Sequence, residues 1–391
     1  VSDQGSGSGN AGISGMAALA RLTLTDFRNF EHLTLRTERA PVVLTGENGA
    51  GKTNLLESIS LFAPGRGLRR VPLAECARHD GAGGWAVAGE FTNAGGRVRL
   101  GTGIVGGPAG IEYPRKCRID GVPVPGPGAF QDHVQILWLT PAMDRLFSGP
   151  AGDRRRFVDR IAGILDPGHG RNAGRYDRAM AERNRLLALG GREESWLDGL
   201  EAQMAETGLA LAAVRRAALE RLAGFVAARD RRSAFPPARL RMTGSVDHAL
   251  EAGPAVDAEN WLRDELKAGR GRDRAAGRAL TGPHRSDLRA EHGLTGADAA
   301  DCSTGEQKAL LVSITLAKAR LAAWRQGGEA PILLLDEVTA HLDRRRRDAL
   351  FEEVRMLGAQ SWMTGTEAAL FAPLAQAAQF ITVAHGTALV T

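Results

Sequence analysis

A chain of 391 residues with 43% hydrophobic and 24% charged side chains can bury a sizeable core and is long enough to divide into two lobes. Aromatics supply only 5%, so the core is aliphatic and alanine-rich, and no run reaches the roughly 20 apolar residues of a membrane span. Cys76, Cys117 and Cys302 are scattered and odd in number, which argues for a reducing cytoplasm and against a disulfide framework or structural zinc; the net charge of +5 and pI near 9.5 are compatible with a nucleic-acid partner.

Residues 1–15 are rich in Gly and Ser, lack the apolar stretch of a secretion signal, and read as a disordered tail, with Met16 opening the folded part. From Ala20 to Leu44 the apolar pattern is strand-like at Leu22 and Leu24, Leu33 and Leu35, and Val42 to Leu44, broken at Asp26-Phe27-Arg28-Asn29-Phe30. Gly46, Glu47, Asn48, Gly49, Ala50, Gly51, Lys52 and Thr53 then fit the phosphate-binding loop pattern. Its glycines let backbone N–H groups line a concavity that a triphosphate fills. Lys52 would meet the β and γ phosphates, and the Thr53 hydroxyl a magnesium ion. Only five of the fifty basic residues are lysines; a coding bias toward arginine explains the ratio, but position 52 is where a compact ammonium serves better than a guanidinium. Asn54 to Phe62 carries helical spacing, so the loop lies between a strand and a helix N-terminus that favours anions.

Val87 to Ile104 and Arg115 to Val124 add short strands with links such as Gly106-Gly107-Pro108, Pro123 to Gly128 reads as a loop, and Val134 to Leu139 as another strand. Residues 16–150 therefore make the N-terminal part of an α/β lobe. Composition shifts at Gly149-Pro150, and residues 151–280 read as a helical lobe with Leu200, Met204, Leu211, Val214, Leu222 and Phe225 at three-four spacing. That spacing favours a bundle over a coiled-coil arm, which needs sustained heptads. Phe235-Pro236-Pro237 ends it, and Gly269 to Arg278 reads as a basic loop.

Residues 281–391 hold the second half of a site. Ser303, Thr304, Gly305, Glu306 and Gln307 form a hydroxyl- and glycine-containing turn at the start of a helix running from Glu306 to Trp324, suited to a γ phosphate and equally to an ordinary N-cap at Ser303 or Thr304. Ile332 to Leu335 is an apolar run ending in Asp336-Glu337, the pattern of a buried parallel strand delivering two carboxylates at its C-terminal edge. Asp336 would hold the magnesium, and Glu337 would orient or deprotonate the attacking water. A helix from Arg344 to Leu357 follows.

Together with Gly65-Arg66-Gly67-Leu68-Arg69, Arg154-Arg155-Arg156-Phe157-Val158-Asp159, Thr281-Gly282-Pro283-His284-Arg285-Ser286-Asp287-Leu288 and Leu342-Asp343, these residues resemble the ATP-binding-cassette superfamily and, within it, the RecF family. The resemblance implies an α/β fold: an ABC-type P-loop ATPase head, with a mixed sheet and flanking helices, plus an inserted α-helical lobe and no long coiled coil. It implies that two subunits sandwich two ATP molecules with Mg2+. In each site the Gly46 to Thr53 loop, Arg28, Asn29, Asp336 and Glu337 would come from one chain, and Ser303, Thr304, Gly305, Glu306, Gln307 and the D-loop Asp343 from the other. It also implies a cytoplasmic, slow, DNA-stimulated ATPase that binds single-stranded, gapped or junction DNA, works with RecR and RecO, and helps load RecA at gaps in the SOS response.

Some positions depart from the family pattern. Thr364 stands where transporter cassettes carry a switch histidine, Ala142 and Met143 where relatives often have carboxylates, and Ser286 where an aspartate is common; Gln131 and Gln135 are the candidates for the cassette Q-loop glutamine. The candidate DNA contacts are the arginine groups Arg154, Arg155 and Arg156, then Arg270, Arg272 and Arg274, and Arg344 to Arg347, where dimer contacts compete. A transporter motor subunit and an SMC-like head are the alternative readings. The separation of loop from signature and Thr364 weigh against the first, and the short intervening lobe against the second.

Overall fold

The computed structural model describes residues 15–106, 113–190, 193–228, 233–384 and 386–390. They form two compact units, 1–143 with 315–391, and 144–314.

The first unit is built on two six-stranded sheets. One runs in the order Thr387–Val390, Gln379–Ala384, Val42–Thr45, Ser361–Thr364, Ile332–Leu335, Ile136–Leu139, parallel except for the terminal Gln379–Ala384/Thr387–Val390 hairpin. Val42–Thr45, Ser361–Thr364, Ile332–Leu335 and Ile136–Leu139 are four-residue, mainly apolar strands with every residue buried, the signature of a sheet covered on both faces. The other sheet is antiparallel, ordered Phe30–Arg36, Ala18–Phe27, Trp85–Asn93, Gly96–Ile104, Lys116–Ile119, Val122–Val124. Its strands alternate buried and open residues, so one face packs on the core and the other does not.

The helix Lys52–Ser60 packs against strands of both sheets and is buried nearly all round, down to Glu57, Ser58 and Ser60. The fully buried Phe62 just beyond it meets Phe91 edge-on, with centroids 5.0 Å apart. Buried Gln360 stands in for a strand neighbour: its amide accepts from the Leu19 N–H at 2.8 Å and donates to the carbonyls of Leu19 at 3.2 Å and Glu38 at 2.8 Å. Such pairing is what a buried amide requires.

The second unit holds the helices Ala151–Leu165, His169–Ala188, Glu194–Ala227, Ser245–Ala252, Ala255–Ala268 and Arg270–Ala276, around a core that includes Tyr176, Met204, Leu211, Leu262 and Leu266. The Glu194–Ala227 helix packs on His169–Ala188, Ala151–Leu165 and Ala255–Ala268, a bundle rather than an arm. Wholly buried Arg183 ties four segments, donating to Glu201 at 2.9 Å, Asp273 at 2.7 Å and the Leu266 carbonyl at 2.6 Å.

Several expectations are corrected. Gly269 to Arg278 is not a loop: Arg270–Ala276 is helical, fastened through Asp273 to Arg183. The region from 151 to 280 is not wholly helical, because Ala238–Thr243 pairs antiparallel with Asp287–His292. The second unit spans Asp144–Ile314, beyond the expected 151–280 at both ends. Pro123 to Gly128 begins in a strand and ends in a tight helical turn from Pro127 to Asp132. Gly15, expected in the tail, pairs in register with Glu329. Residues 1–14, and Gly107 and Pro108 of the glycine link, lie outside the described residues.

Candidate nucleotide site

The Gly46–Thr53 loop leaves the strand Val42–Thr45 and enters the helix Lys52–Ser60. Two of its glycines are required by close approach as well as by conformation. At Gly46, φ is +141° and a Cβ would fall 2.2 Å from the Val383 carbonyl oxygen; at Gly51, φ is +113° and a Cβ would fall 2.6 Å from the Asn29 amide nitrogen. The Lys52 ammonium arches over the loop, donating to the carbonyls of Gly46 at 2.7 Å and Glu47 at 2.8 Å. Burial pulls its pKa down, against the pull of Glu337 and Asp336, which favour the charged form.

The loop and the acidic strand meet at one contact. The Thr53 hydroxyl lies 3.0 and 3.2 Å from the two carboxylate oxygens of Asp336. Asp336 is buried at the C-terminal end of Ile332–Leu335, whereas Glu337 is exposed. Thr364, fully buried at the end of the neighbouring strand, donates to Asp336 Oδ1 at 2.8 Å and accepts the Glu337 N–H at 2.7 Å. Glu337 itself has φ +47°, a left-handed conformation unusual for a residue with a side chain.

Arg28 and Asn29 act on the loop from its side. Arg28 is held by Glu57 in a two-pronged pair at 2.8 and 2.7 Å and also donates to the Glu75 carbonyl at 2.8 Å. Burial opposes its charge, but the Glu57 pairing outweighs it and raises the pKa. Asn29 donates to the Ala50 carbonyl at 3.1 Å and accepts from Asn54 at 2.7 Å, buttressing the loop. Glu57, which also takes Arg69 at 3.0 Å, is a site residue that sequence reasoning misses; a carboxylate set among Leu55, Leu56 and Ile59, the apolar positions of the helix, is the available signal.

In the second unit, Ser303 and Glu306 close a reciprocal cap at the start of the helix Thr304–Arg325. The Ser303 hydroxyl donates to Glu306 Oε2 at 2.8 Å and accepts the Glu306 N–H at 3.3 Å, while the Ser303 N–H reaches the same carboxylate at 3.0 Å. Gln307 is buried and donates to the carbonyls of Ala300 at 3.2 Å and Cys302 at 2.9 Å, fixing the turn. Thr304 is exposed and Gly305 half-buried beside it. Asp343, in the first unit, is exposed and caps Arg344–Met356 through the Arg346 N–H at 2.8 Å.

Other candidates are placed differently. Gln131 and Gln135 precede the strand Ile136–Leu139, at the sheet edge opposite Asp336, because that strand runs parallel to Ile332–Leu335; neither stands beside the loop. Arg154 is spent on Asp287 at 2.7 Å, Arg155 donates to the Ser286 carbonyl at 2.8 Å, and Arg156 pairs with Asp153. Arg270 pairs with Glu201 and Asp198, and Arg272 with Glu265 at 3.4 Å, while Arg274 is exposed. Among the described residues no helix is long and apolar enough to cross a membrane, and no group of three or more metal-binding side chains occurs.

No protein-family model matches the chain. Curated relatives do: it is 49% identical over 369 residues to the DNA replication and repair protein RecF of Mesorhizobium japonicum, covering 94% of this chain and 97% of that one. To the RecF of Agrobacterium fabrum it is 48% identical over 375 residues, covering 96% and 99%. Its fold matches a solved structure of the recombination mediator protein RecF-ATPrS in the RecFOR pathway with a TM-score of 0.83 at 21% identity, over 96% of this chain and 98% of that chain. An Smc head domain from Pyrococcus furiosus follows at 0.53 and 15%, over 96% of each. With an ABC-type ATPase fold and near-full-length identity of this order, the chain belongs to the RecF family of DNA replication and repair proteins.

Proposed function

We propose that the protein is an ATP-switched, DNA-binding ATPase of recombinational repair and replication restart. ATP closes a homodimer on single-stranded, gapped or junction DNA, and slow, DNA-stimulated hydrolysis at Glu337 reopens it. The observation that carries this reading is the Thr53–Asp336 contact at 3.0 Å, which joins phosphate loop and acidic strand into one half-site. Two hard oxygen donors so placed suit magnesium, which typically takes one or two protein oxygens and completes its shell with phosphate and water. Thr53 and Asp336 would hold the ion, and bound there it would neutralise phosphate charge. Lys52 binds the β and γ phosphates, and Glu337 orients the attacking water. Ser303, Thr304, Gly305, Glu306, Gln307 and Asp343 complete the site of the partner subunit. The protein would act with RecR and RecO in loading RecA at gaps, in the cytoplasm; the relatives' names support the repair role, and the structural neighbour's title supports a place in recombination mediation.

The test is sedimentation of the protein with gapped duplex, with and without ATP and magnesium, across a salt series. ATP-dependent dimerisation together with salt-sensitive DNA binding is expected. A protein that stays monomeric with ATP and DNA present would overturn the switch.

A further inference from the structure

The open face of the antiparallel sheet is strongly and unusually cationic. Side chains alternate between faces along each strand, and Leu22, Leu24, Val87, Phe91, Val98 and Leu100 turn inward, so the cross-strand partners of the intervening residues can be read as rows on the other face. One row runs Arg36, Arg21, Glu90, Arg99. The next runs Thr34, Thr23, Ala88, Gly101, Arg118, and a third His32, Thr25, Ala86, Gly103, Lys116. Thr92 faces Arg97 at the near end. Six cations therefore share this face with a single row carboxylate among the described residues, Glu90, and the middle is floored by Thr, Ala and Gly.

Arg21 directly opposite Arg36 is the kind of like-charge pair that sheets ordinarily avoid. Glu90 does little to relieve it: its carboxylate lies 3.7 Å from Arg21, with both side chains about 40% exposed. The Arg21 Nε is buried without a hydrogen-bond partner. Arg21, Arg36, Arg97, Glu90 and Thr92 line a groove of about 260 Å³. A surface whose cations outnumber its carboxylates, with an unsatisfied N–H and a floor of small residues, is complementary to a row of phosphates.

We propose that this face receives the phosphodiester backbone of double-stranded DNA, a proposal that rests on the protein being a DNA-binding ATPase. The composition selects duplex over single strand. Unpaired bases are held by stacking on aromatic side chains; these rows carry no Phe, Tyr or Trp, and Phe91, which lines the groove, is wholly buried. The cationic margins at Arg36 and Arg99 lie three strand spacings apart, about 14 Å, close to the ~12 Å width of a major groove whose two walls are phosphates. Contacts of this type carry no base information, so binding is sequence-independent and salt-sensitive.

The test compares the protein with a variant carrying Arg21→Gln, Arg36→Gln, Arg97→Gln and Arg99→Gln. Binding to a blunt 30-base-pair duplex and to an oligo-dT of equal length is measured across a salt series, with nucleotide affinity and melting temperature as folding controls. Removing one arginine–phosphate pair flattens the log–log salt dependence by about 0.9, so the duplex slope should fall by about 2 to 4 while nucleotide affinity is unchanged. The face is overturned if the variant keeps the slope of the unaltered protein, if only oligo-dT binding falls, or if the weakening follows Arg156→Gln, Arg272→Gln and Arg274→Gln instead; in each of these cases DNA binding itself stands. If the unaltered protein binds neither DNA, the proposed function falls and this face with it.

Discussion

The Glu337 N–H donates to the Thr364 hydroxyl at 2.7 Å, and the same hydroxyl donates to Asp336 at 2.8 Å. One buried side chain thus fixes both carboxylate residues from the adjacent strand, whose register sets Leu335 beside Met363. Holding a non-glycine residue at φ +47° costs on the order of 1–3 kcal/mol unless its surroundings impose it. The hydroxyl supplies that constraint, so Thr364 is a positioning residue for Glu337. Thr364→Val, which keeps the shape and removes both hydrogen bonds, should slow single-turnover hydrolysis about tenfold or more, equivalent to ~1.4 kcal/mol of barrier. ATP affinity should change little, and Thr364→Ser should restore most of the rate. Hydrolysis by Thr364→Val at the unaltered rate would remove the hydroxyl from the mechanism.

Glu337 and Lys52 should separate hydrolysis from binding. Glu337→Gln keeps the size of the side chain but cannot take a proton, and should cut turnover about 100- to 10,000-fold with ATP still bound. The ATP-dependent dimer should then persist longer. Lys52→Ala removes the ammonium that bridges the loop carbonyls and should weaken binding and dimerisation together. A bias of ~3 kcal/mol toward the closed dimer is enough for a hundredfold shift, so sedimentation with and without ATP resolves both effects.

Ser303 has a structural and a functional assignment, and two substitutions tell them apart. Ser303→Ala removes the helix cap and should cost about 1 kcal/mol of stability in urea unfolding. Ser303→Asn retains a side chain that caps equally well but lacks the hydroxyl. If the hydroxyl engages the partner's nucleotide, both variants lose ATP-dependent dimerisation while only Ser303→Ala loses stability. Normal dimerisation by Ser303→Asn would assign Ser303 to the cap alone.

What is legible in the sequence is local. The Val42 run, the glycine loop and the helix behind it are contiguous signals, as are Ile332 to Leu335 ending at Asp336 and the Ser303–Glu306 spacing, and the structure forms all of them. What escapes depends on distant partners. Arg270–Ala276 looks like a basic loop until Asp273 finds Arg183, and Ala238–Thr243 has no strong pattern until it meets Asp287–His292. Glu57 is invisible as a site residue because its two arginine partners arrive from either side of it in sequence, at Arg28 and Arg69. The basic clusters are ambiguous for a related reason: charge density along the chain does not reveal which arginines have carboxylates waiting across the fold. Arg154 and Arg270 have them at close range, while Arg21 faces Arg36 and has only the partly exposed Glu90, at 3.7 Å.

Asp159 makes the acid stability of the second unit testable. Its carboxylate accepts from His169 at 2.8 Å and from Arg215 at 2.8 and 3.1 Å, and Arg215 in turn donates to the Pro283 carbonyl at 2.8 Å. Burial would raise its pKa, but the hydrogen bonds from His169 and Arg215 outweigh that and hold it below the ordinary carboxylate value. A depressed carboxylate stabilises the fold at pH above its unfolded pKa, about 3.9, and loses that contribution as pH falls through the lower folded value. Asp159→Asn leaves the buried Arg215 without its counter-charge and should cost about 3 kcal/mol near neutral pH. Because the variant no longer has this group to protonate, its stability should fall less steeply than that of the unaltered protein on acidification below pH ~4. Urea unfolding at pH 7, 5, 4 and 3 measures both quantities. Equal acid slopes for the two proteins would show that Asp159 does not carry the linkage.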